Sequence, residues 1–408
     1  MTADNPAGRP QVPTFDFSKI ELARLRDYYT NELNRCIRFW FPRSIDQEFG
    51  GFLHFFDRSG QLIDSDKSVW AQGRMSWMLL ALYQTREQNE DWLNWAENGL
   101  NFIQRHCIDS DGRLFFHMTR EGAPLRKRRY AYSESFAAIA YARHAAITGS
   151  SQSAERAIEL FRQFTSINFE AGRMEPKYTS IRPSIGLAPR MITLVTGQEL
   201  RRQLGNSELI QSWIDRCVGE ILDLFVHPEH ACVFETVSPD GQIIDHVDGR
   251  TLNPGHAIEG AWFIMQEGKE QNSDELITQG CQMLDWMWKR GLDDQHGGLF
   301  YFRDAFGKPV QEYWHDMKFW WPHNEALIAT LLAWQLTKDS KYAQWHCELL
   351  EWCQTHFADS HHGEWYGYLH RDGSVANDSK GNLWKSFFHL PRALWICESL
   401  CEESLECL

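Results

Sequence analysis

The chain carries the same short sequence pattern several times, and an internal repeat constrains a fold more than any single motif does. The pattern is an Asp- or Gly-rich turn, an aromatic strand and a second turn built around Asp-Gly or Arg-x-Gly. It begins near residues 46, 109, 230, 293 and 359, and a looser, strand-poor segment occupies 170–183. These starts lie about 60 residues apart. The spacing predicts six structural units.

Two helical patterns separate successive turns, with apolar residues recurring every three or four positions. One helix of each pair is more apolar than the other, as expected for an inner and an outer layer. Six such pairs predict an all-α fold, an (α/α)6 barrel with short β-hairpins at one end. We expect a flexible tail over residues 1–16 and a single barrel domain over 17–408. The predicted helices cover 19–41, 68–85, 91–106, 130–148, 152–167, 184–203, 207–226, 254–268, 272–290, 320–336, 339–357 and 386–404.

Composition excludes several classes of partner. The chain has 41 Lys+Arg against 55 Asp+Glu, a net charge of −14, which disfavours binding to nucleic acid or an anionic membrane. No apolar run approaches the roughly 20 residues of a membrane span, and no secretory signal is visible. The 10 cysteines contain no C-x-x-C pair, which favours reduced thiols in a cytoplasmic protein. A small-molecule ligand is therefore expected.

The second helix of each unit begins at the hairpin-bearing mouth, where a concave ligand site is expected. His256, His323 and His389 lie at such starts, 67 and 66 residues apart, which is one repeat each. Equivalent positions in successive units predict convergence on one cavity. The candidate site residues at these helix starts are Arg74, Tyr132, Asn253, His256, Glu259, Trp321, His323, Glu325, His389 and Arg392.

Structural interpretations stand beside these functional ones. Asn253 suits a helix N-cap, and Glu259 and Glu325 suit the acidic first turn of a helix. Arg74 suits an ion pair with an outer carboxylate, and a single histidine at a helix start is often structural. Two carboxylates across the mouth also keep glycoside hydrolysis open.

Other chemistries have no sequence support. The chain has no phosphate-binding loop, dinucleotide fingerprint, H-E-x-x-H motif or nucleophile elbow. Histidine suits proton transfer near neutral pH, and two histidines on opposite faces of a carbon can remove and return its proton. Arginine would stabilise the enediolate that forms in between. This chemistry needs no metal and no redox cofactor.

The segments that carry these residues resemble the N-acylglucosamine 2-epimerase family, also known as renin-binding proteins. They include SVWAQGR at 68–74, NPGHAIEGAWF at 253–263, KFWWPHNEA at 318–326 and FFHLPRAL at 387–394, and the likeness spans about residues 20 to 405. The resemblance implies an (α/α)6 barrel. It also implies interconversion of N-acetylglucosamine and N-acetylmannosamine through an enediolate at C2 of the ring-opened sugar.

The resemblance assigns roles to the candidate residues. His389 and His256 become the two acid/base groups, Arg74 binds the O1/O2 region, and Glu325 orients the substrate or a histidine. Glu259 would hydrogen-bond His256 or the sugar. Trp321, His323 and Arg392 would contact or support the substrate, and Asn253 and Tyr132 are further substrate-binding candidates.

Several members of the family are activated by ATP that is not consumed, and homodimers are common among them. The loop 171–182 offers Arg173, Lys177 and Arg182 for phosphate groups, and a solvated loop is the alternative. Cellobiose 2-epimerases and aldose–ketose isomerases share the barrel and the paired histidines, so they remain alternative activities. A non-catalytic binding protein is a further alternative, which the intact set of acid/base residues disfavours.

Overall fold

The computed structural model describes residues 16–127, 130–175 and 177–407, and within them twelve long helices form six pairs. A short helix, Val247–Arg250, precedes the helix that begins at Pro254, and a π-helical turn, Ile221–Phe225, follows the helix that ends at Glu220. The helices are α1 (Lys19–Trp40), α2 (Val69–Thr85), α3 (Glu90–His106), α4 (Tyr132–Thr148), α5 (Ser151–Phe169), α6 (Leu187–Leu204), α7 (Glu208–Glu220), α8 (Val247–Arg250), α9 (Pro254–Gln271), α10 (Asp274–Gly291), α11 (Trp320–Thr337), α12 (Ser340–His356) and α13 (His389–Glu406).

The inner ring consists of α2, α4, α6, α9, α11 and α13, each packed on the next and α13 on α2. Six outer helices pack on them, α3 on α2, α5 on α4, α7 on α6, α10 on α9, α12 on α11 and α1 on α13. Helix α6 therefore faces α13 across the lumen, and α4 faces α11. The predicted (α/α)6 barrel is confirmed.

The two layers follow from the pattern of apolar residues. On α11 every residue from Trp320 to Trp334 is buried, as expected for a helix that is apolar on all sides. On the outer helix α3 burial is confined to one face that includes Trp92, Ala96 and Leu100. The inner helices are thus covered by the outer helices on one side and border the lumen on the other.

Short strands at one end of the barrel join neighbouring units. They are β1 (Phe55–Phe56), β2 (Leu62–Asp64), β3 (Lys67–Ser68), β4 (His117–Met118), β5 (Pro124–Arg126), β6 (Ile185–Gly186), β7 (Val226–His227), β8 (Cys232–Val233), β9 (Thr236–Val237), β10 (Thr251–Leu252), β11 (Arg303–Asp304), β12 (Lys318–Phe319), β13 (Tyr368–Leu369) and β14 (Val375–Asn377). The local hairpins are β1–β2, β4–β5, β7–β8 and β13–β14, all antiparallel. The strand before an inner helix pairs with a strand of the next unit in β3–β4, β6–β9, β10–β11 and β12–β13.

Three aspartates that open the repeated turns also link one unit to another. Each accepts a hydrogen bond from a buried lysine and from an arginine of an adjacent unit. These contacts are Asp46 with Lys67 and Arg120, Asp293 with Lys318 and Arg371, and Asp359 with Lys380 and Arg58. Burial alone would raise the pKa of these carboxyl groups, but the cations hold the pKa well below its ordinary value. Arg58 belongs to the first unit and Asp359 to the last, so this contact helps to close the ring.

The predicted tail, 1–16, lies outside the described residues except for Asp16. That carboxylate accepts a hydrogen bond of 2.7 Å from the Trp334 indole, so Asp16 is anchored to α11. No helix in the described ranges is both long and apolar enough to cross a bilayer.

Candidate active site

The inner helices enclose a space of about 1610 Å³ that extends from the hairpin end to the opposite end of the barrel, where Thr85, Gln203 and Glu403 also line it. It receives side chains from all six inner helices, and its mouth is rich in aromatic rings. The aromatic residues of the first helical turns and the hairpin end are Trp70, Tyr132, Tyr301, Trp314, Phe319, Trp320, Trp321, Tyr368 and Trp384. The first turns of the inner helices thus line the mouth, as the sequence predicts.

His389 is the first residue of α13 and is held by Glu325 of α11. Its Nδ1 lies 2.8 Å from a carboxylate oxygen of Glu325. Because an ionised carboxylate only accepts, Nδ1–H donates, and Nε2 is the nitrogen that can accept a proton. Burial, together with the charges of Arg74 and Arg392, lowers the pKa of His389 well below its ordinary value. His389 is therefore neutral at physiological pH and suited to act as a base.

Arg392 lies one turn deeper on α13 and binds two carboxylates. Its Nη2 donates to Glu259 at 2.9 Å and to the same oxygen of Glu325 that faces His389. The second oxygen of Glu325 accepts from the Trp262 indole at 3.0 Å. Glu325 is thus fully occupied by His389, Arg392 and Trp262, and its orientation is fixed.

Arg74 has a different environment, because rings rather than carboxylates surround its guanidinium. The guanidinium carbon lies 4.0 Å from the Phe136 ring centroid and 4.7 Å from that of Phe388. Its Nε is buried without a hydrogen-bond partner in the described part of the chain. Burial and the charge of Arg392 lower the pKa of Arg74 to about 9. The alternative of a pair with an outer carboxylate is wrong, and Arg74 is a cation available to the cavity.

His256 stands in the first turn of α9 and is held by Glu235, which lies between β8 and β9. Both carboxylate oxygens of Glu235 are 3.1 Å from Nδ1 of His256. Burial alone would lower the pKa of His256, but the carboxylate outweighs it and the pKa is raised. His256 therefore favours the protonated form, the opposite of His389.

The two histidines flank one indole. The ring centroid of Trp321 is 5.0 Å from that of His256 and 5.9 Å from that of His389. A ligand lying against this indole would have a proton donor on one side and a proton acceptor on the other. This arrangement can invert a carbon that carries an acidic hydrogen.

Sequence reasoning missed Glu235. It lies in the segment HACVFETVSPDG at 230–241, which was interpreted only as a repeated turn. The available sequence signal for Glu235 was its position directly before the short strand β9. Alternate side chains of a strand face opposite sides of a sheet, so a residue at this place can face the barrel mouth. A carboxylate 21 residues before His256 cannot be paired with it from spacing alone.

Seven of the ten residues predicted at the helix starts line the cavity: Arg74, Tyr132, His256, Glu259, Trp321, His389 and Arg392. Glu325 lies behind His389, as described above. Asn253 is the N-cap of α9, and its side-chain oxygen accepts from the backbone N–H of His256 at 3.2 Å. It positions the histidine and does not line the cavity.

His323 does not belong to the cavity lining, which corrects the prediction that it contacts substrate. It is fully buried and stacks on Trp352 of the outer helix α12, with ring centroids 5.0 Å apart. Its Nδ1–H donates to the Phe319 carbonyl, and its Nε2 accepts from the Leu299 N–H. Burial lowers the pKa of His323 to about 3. With both nitrogens used, it is a neutral structural residue.

The cations of the 171–182 loop are exposed. Arg173 pairs with Glu170 at 2.9 Å, and the Lys177 ammonium lies 6.0 Å from the centroid of the Tyr130 ring. Tyr130 stacks on Tyr132 at the mouth, with centroids 5.6 Å apart. The loop is thereby in contact with the rim of the cavity.

Glu259, Glu325 and His389 present oxygen and nitrogen atoms that all lie within 4.8 Å of one another, a grouping that suits a metal ion. However, both carboxylates already bind the guanidinium of Arg392. A metal would have to displace this cation and take its place. The donor set is therefore better matched to arginine than to a metal.

Fold and site together define a class of protein. An (α/α)6 barrel whose mouth places a proton donor and a proton acceptor around one ring is an enzyme that moves protons on a small substrate. A sequence model of the N-acylglucosamine 2-epimerase (GlcNAc 2-epimerase) family matches residues 50–393. The chain belongs to this family of carbohydrate epimerases.

Individual relatives agree with this assignment. The chain is 35% identical over 393 residues to the N-acylglucosamine 2-epimerase of Bos taurus, covering 93% of this chain and 92% of that protein. It is 33% identical over 406 residues to the enzyme of the same name from Homo sapiens, covering 96% and 94%. The structure of cellobiose 2-epimerase from Spirochaeta thermophila DSM 6192 superposes with a TM-score of 0.81 at 18% identity, covering 94% and 98%.

Proposed function

We propose that this protein interconverts N-acetyl-D-glucosamine and N-acetyl-D-mannosamine by moving the proton at C2 of the ring-opened sugar. The observation that carries the proposal is the pair of histidines on either side of Trp321, with pKa values shifted in opposite directions. The relatives that match nearly the whole chain bear the corresponding name.

In the proposed reaction of N-acetylmannosamine, Nε2 of His389 takes the C2 proton, and the electron pair of that C–H bond forms the C1–C2 double bond. The intermediate is an enolate and not the expected enediolate, because C2 carries nitrogen rather than oxygen. The negative charge moves to O1. Protonated His256 then donates its proton to C2 from the opposite face. The C1–C2 double-bond pair forms the new C–H bond, the C1 carbonyl re-forms, and the carbon is inverted. In the reverse direction the two histidines exchange roles, and no group outside the protein and the sugar is required.

Arg74 is the residue best placed to stabilise the enolate oxygen. The charge of Arg392 is balanced by direct contacts with Glu259 and Glu325, whereas the guanidinium of Arg74 packs against the rings of Phe136 and Phe388. A cation in a desolvated site interacts more strongly with a developing negative charge than it would in water. We assign Arg74 to O1 and Arg392 to the orientation of Glu325.

The alternatives can be weighed against the same geometry. Glycoside hydrolysis needs one carboxylic acid and one free carboxylate, but Glu259 and Glu325 both bind Arg392. A non-catalytic binding protein needs no carboxylate behind either histidine. An aldose–ketose isomerase or a cellobiose 2-epimerase would use the same histidines, so the substrate must be decided by experiment.

The proposal also covers activation, metal content, location and oligomeric state. ATP would act as a non-consumed activator at Arg173, Lys177 and Arg182, and the contact of Tyr130 with Tyr132 offers a route from that loop to the mouth. No catalytic metal is expected. A cytoplasmic location accords with ten unpaired cysteines, since reducing compartments keep thiols free. The homodimer rests on the resemblance alone.

The test is proton NMR of N-acetylmannosamine incubated with the protein in D2O, with and without ATP. We expect N-acetylglucosamine that carries deuterium at C2, because His256 exchanges its proton with solvent. A higher rate with ATP would support the activator role. If neither N-acetyl sugar changes, the N-acyl assignment is wrong, and cellobiose, glucose and mannose become the substrates to test in the same assay.

A further inference from the structure

A glycine in the first turn of α9 lies against the first turn of α11. Gly255 is the second residue of α9 and directly precedes His256. It is buried and helical, and alanine is generally more favourable than glycine in a helix. The backbone conformation therefore does not require glycine, and the neighbours of Gly255 supply the reason for its presence.

The space that a side chain at position 255 would need is filled by α11. The Cβ of an alanine there would lie 2.8 Å from Cη2 of Trp321 and 2.8 Å from Cβ of Pro322. Carbon atoms attract best at roughly 3.5–4.0 Å, so each contact would be too short by about 0.7 Å or more. Because Gly255 has no side chain, the far edge of the Trp321 indole can lie directly on α9.

The indole that rests on Gly255 is the one that both histidines contact. Its ring centroid is 5.0 Å from that of His256 and 5.9 Å from that of His389. The ring of Tyr301 stands at 86° to the indole, with centroids 5.9 Å apart. The side chain of Trp321 is only 8% exposed, and a displacement of its indole changes the space between the indole and at least one histidine.

Of the two groups that a methyl group at position 255 would meet, the indole yields more easily. Pro322 has a rigid ring close to the backbone of α11, so it cannot rotate away. Cη2 of Trp321 lies at the end of a side chain that rotates about two bonds. The methyl group should therefore displace the indole before it separates the two helices.

We propose that Gly255 is a positioning residue that holds the Trp321 indole in its place between the two histidines. The position of this ring sets the distance over which each histidine exchanges a proton with C2 of the sugar. The inference rests on the proposed function, because it requires that a sugar carbon lies against the indole. Gly255 does not line the cavity, so it acts only through Trp321.

The test is Gly255→Ala, assayed with N-acetylmannosamine and with the same sugar deuterated at C2. A misplacement of about 1 Å in an active site can cost about 10²-fold in rate, so we expect kcat to fall by about ten- to hundredfold. KM should change by less than about threefold, because no group that binds the sugar is removed. The isotope effect on kcat should be no smaller than in the native protein, because proton transfer is the step that is slowed.

Two kinetic results overturn the positioning role: a kcat within about threefold of the native value, and a loss that appears only in KM. A crystal structure of Gly255→Ala gives a readout that does not depend on activity, and an indole in its native position there also overturns the role. If the native protein converts neither N-acetyl sugar, the proposed function is wrong, and kcat is compared on the sugar that it does convert. The role of Gly255 does not depend on the acyl group, so the two failures are distinguishable.

Two other glycines of the inner helices are matched controls that separate positioning from packing. Gly260→Ala is also on α9, but its Cβ would lie 3.5 Å from Met191, an ordinary contact, so kcat should stay at the native value. Gly197→Ala on α6 would place its Cβ 2.9 Å from Ile214, an overlap like that at Gly255 but remote from the histidines. It should lower the urea midpoint and keep the native kcat. An equal loss of kcat in Gly197→Ala overturns the proposal, since overpacking alone would then explain both losses.

A double-mutant cycle tests whether Gly255 acts through the indole. Trp321→Phe removes Cη2, one of the two atoms nearest to the new methyl group. In that background Gly255→Ala should lower kcat by a factor at least about threefold smaller than in the native protein. Fully additive effects assign the loss to Pro322 and overturn the proposal. If Gly255→Ala does not fold by itself, recovery of folding in the double variant supports the indole contact, and no recovery overturns it.

Discussion

The carboxylate of Glu235 should set the pH range in which the enzyme works. Both of its oxygens lie 3.1 Å from Nδ1 of His256, and their charge is the reason why the pKa of this histidine is raised despite burial. Glu235→Gln keeps the shape of the side chain and removes the charge. The pKa of His256 should then fall, because burial is no longer opposed.

The magnitude of the fall in the pKa of His256 follows from its distance to Glu235. Two unit charges about 4 Å apart interact by about 4 kcal/mol at an effective dielectric constant of 20, and 1.36 kcal/mol corresponds to one pH unit. The side chains of His256 and Glu235 are 31% and 24% exposed, so water screens part of this interaction. We expect a displacement of about 1 to 2 pH units.

The direction in which the pH dependence of kcat/KM moves is fixed by the roles of the two histidines. Activity needs neutral His389 and protonated His256, so kcat/KM falls at low pH as His389 gains a proton and at high pH as His256 loses one. In Glu235→Gln the proton leaves His256 at lower pH. The alkaline limb should therefore move to lower pH, while the acid limb stays in place.

The assay is the pH dependence of kcat/KM with N-acetylmannosamine, measured for the native protein and for Glu235→Gln. Glu229→Gln is the matched control, because Glu229 also contacts a histidine, His227 at 3.0 Å, but is exposed and remote from the lumen. Glu235→Asp should restore part of the alkaline limb. An alkaline limb that does not move, or movement of the acid limb alone, refutes the assigned roles.

Three further predictions use other parts of the structure. His389→Ala and His256→Ala should each lower kcat by about 10²–10⁴-fold with unchanged circular dichroism, and native rates in either variant contradict the two-histidine reaction. Asp359→Asn removes the carboxylate that Arg58 and the buried Lys380 share, so that the Lys380 ammonium keeps its bond to the Glu364 carbonyl but loses its ion pair. The free energy of unfolding in urea should fall by about 3–5 kcal/mol, against less than about 1 kcal/mol for the exposed Asp27→Asn. Prolonged treatment with a chelator should leave kcat unchanged, and a loss that added metal restores would contradict the metal-free reaction.

Much of the fold could be predicted because its determinants are local. Helix α3 was expected over 91–106 and spans Glu90–His106, and α11 was expected over 320–336 and spans Trp320–Thr337. Apolar spacing within one segment is enough to define such helices. The pairing of β3 with β4 and of β12 with β13 joins different units, and nothing in either segment alone specifies it.

Site residues could be predicted where they occupy the same rotational position, facing the lumen, on their inner helices, and not elsewhere. His323 has the repeat spacing of His256 and His389, yet it lies outside the lumen. It follows the lumen-facing Trp321 by two residues, which is a rotation of about 200° around α11. Counting residues between repeats cannot detect this rotation, because inner helices start at different points of the repeat. Glu235 was missed because it reaches His256 only in three dimensions.

The contact of α1 with α13 gives the protein an order of assembly. The first and last of the described helices form one pair, and Arg58 near the start of the ring binds Asp359 near its end. A nascent chain on the ribosome therefore holds an open ring until the last segment emerges. His389 and Arg392 arrive with that segment. Half-made chains should be devoid of activity, and their unpaired inner helices are the surfaces that a chaperone would have to cover during synthesis.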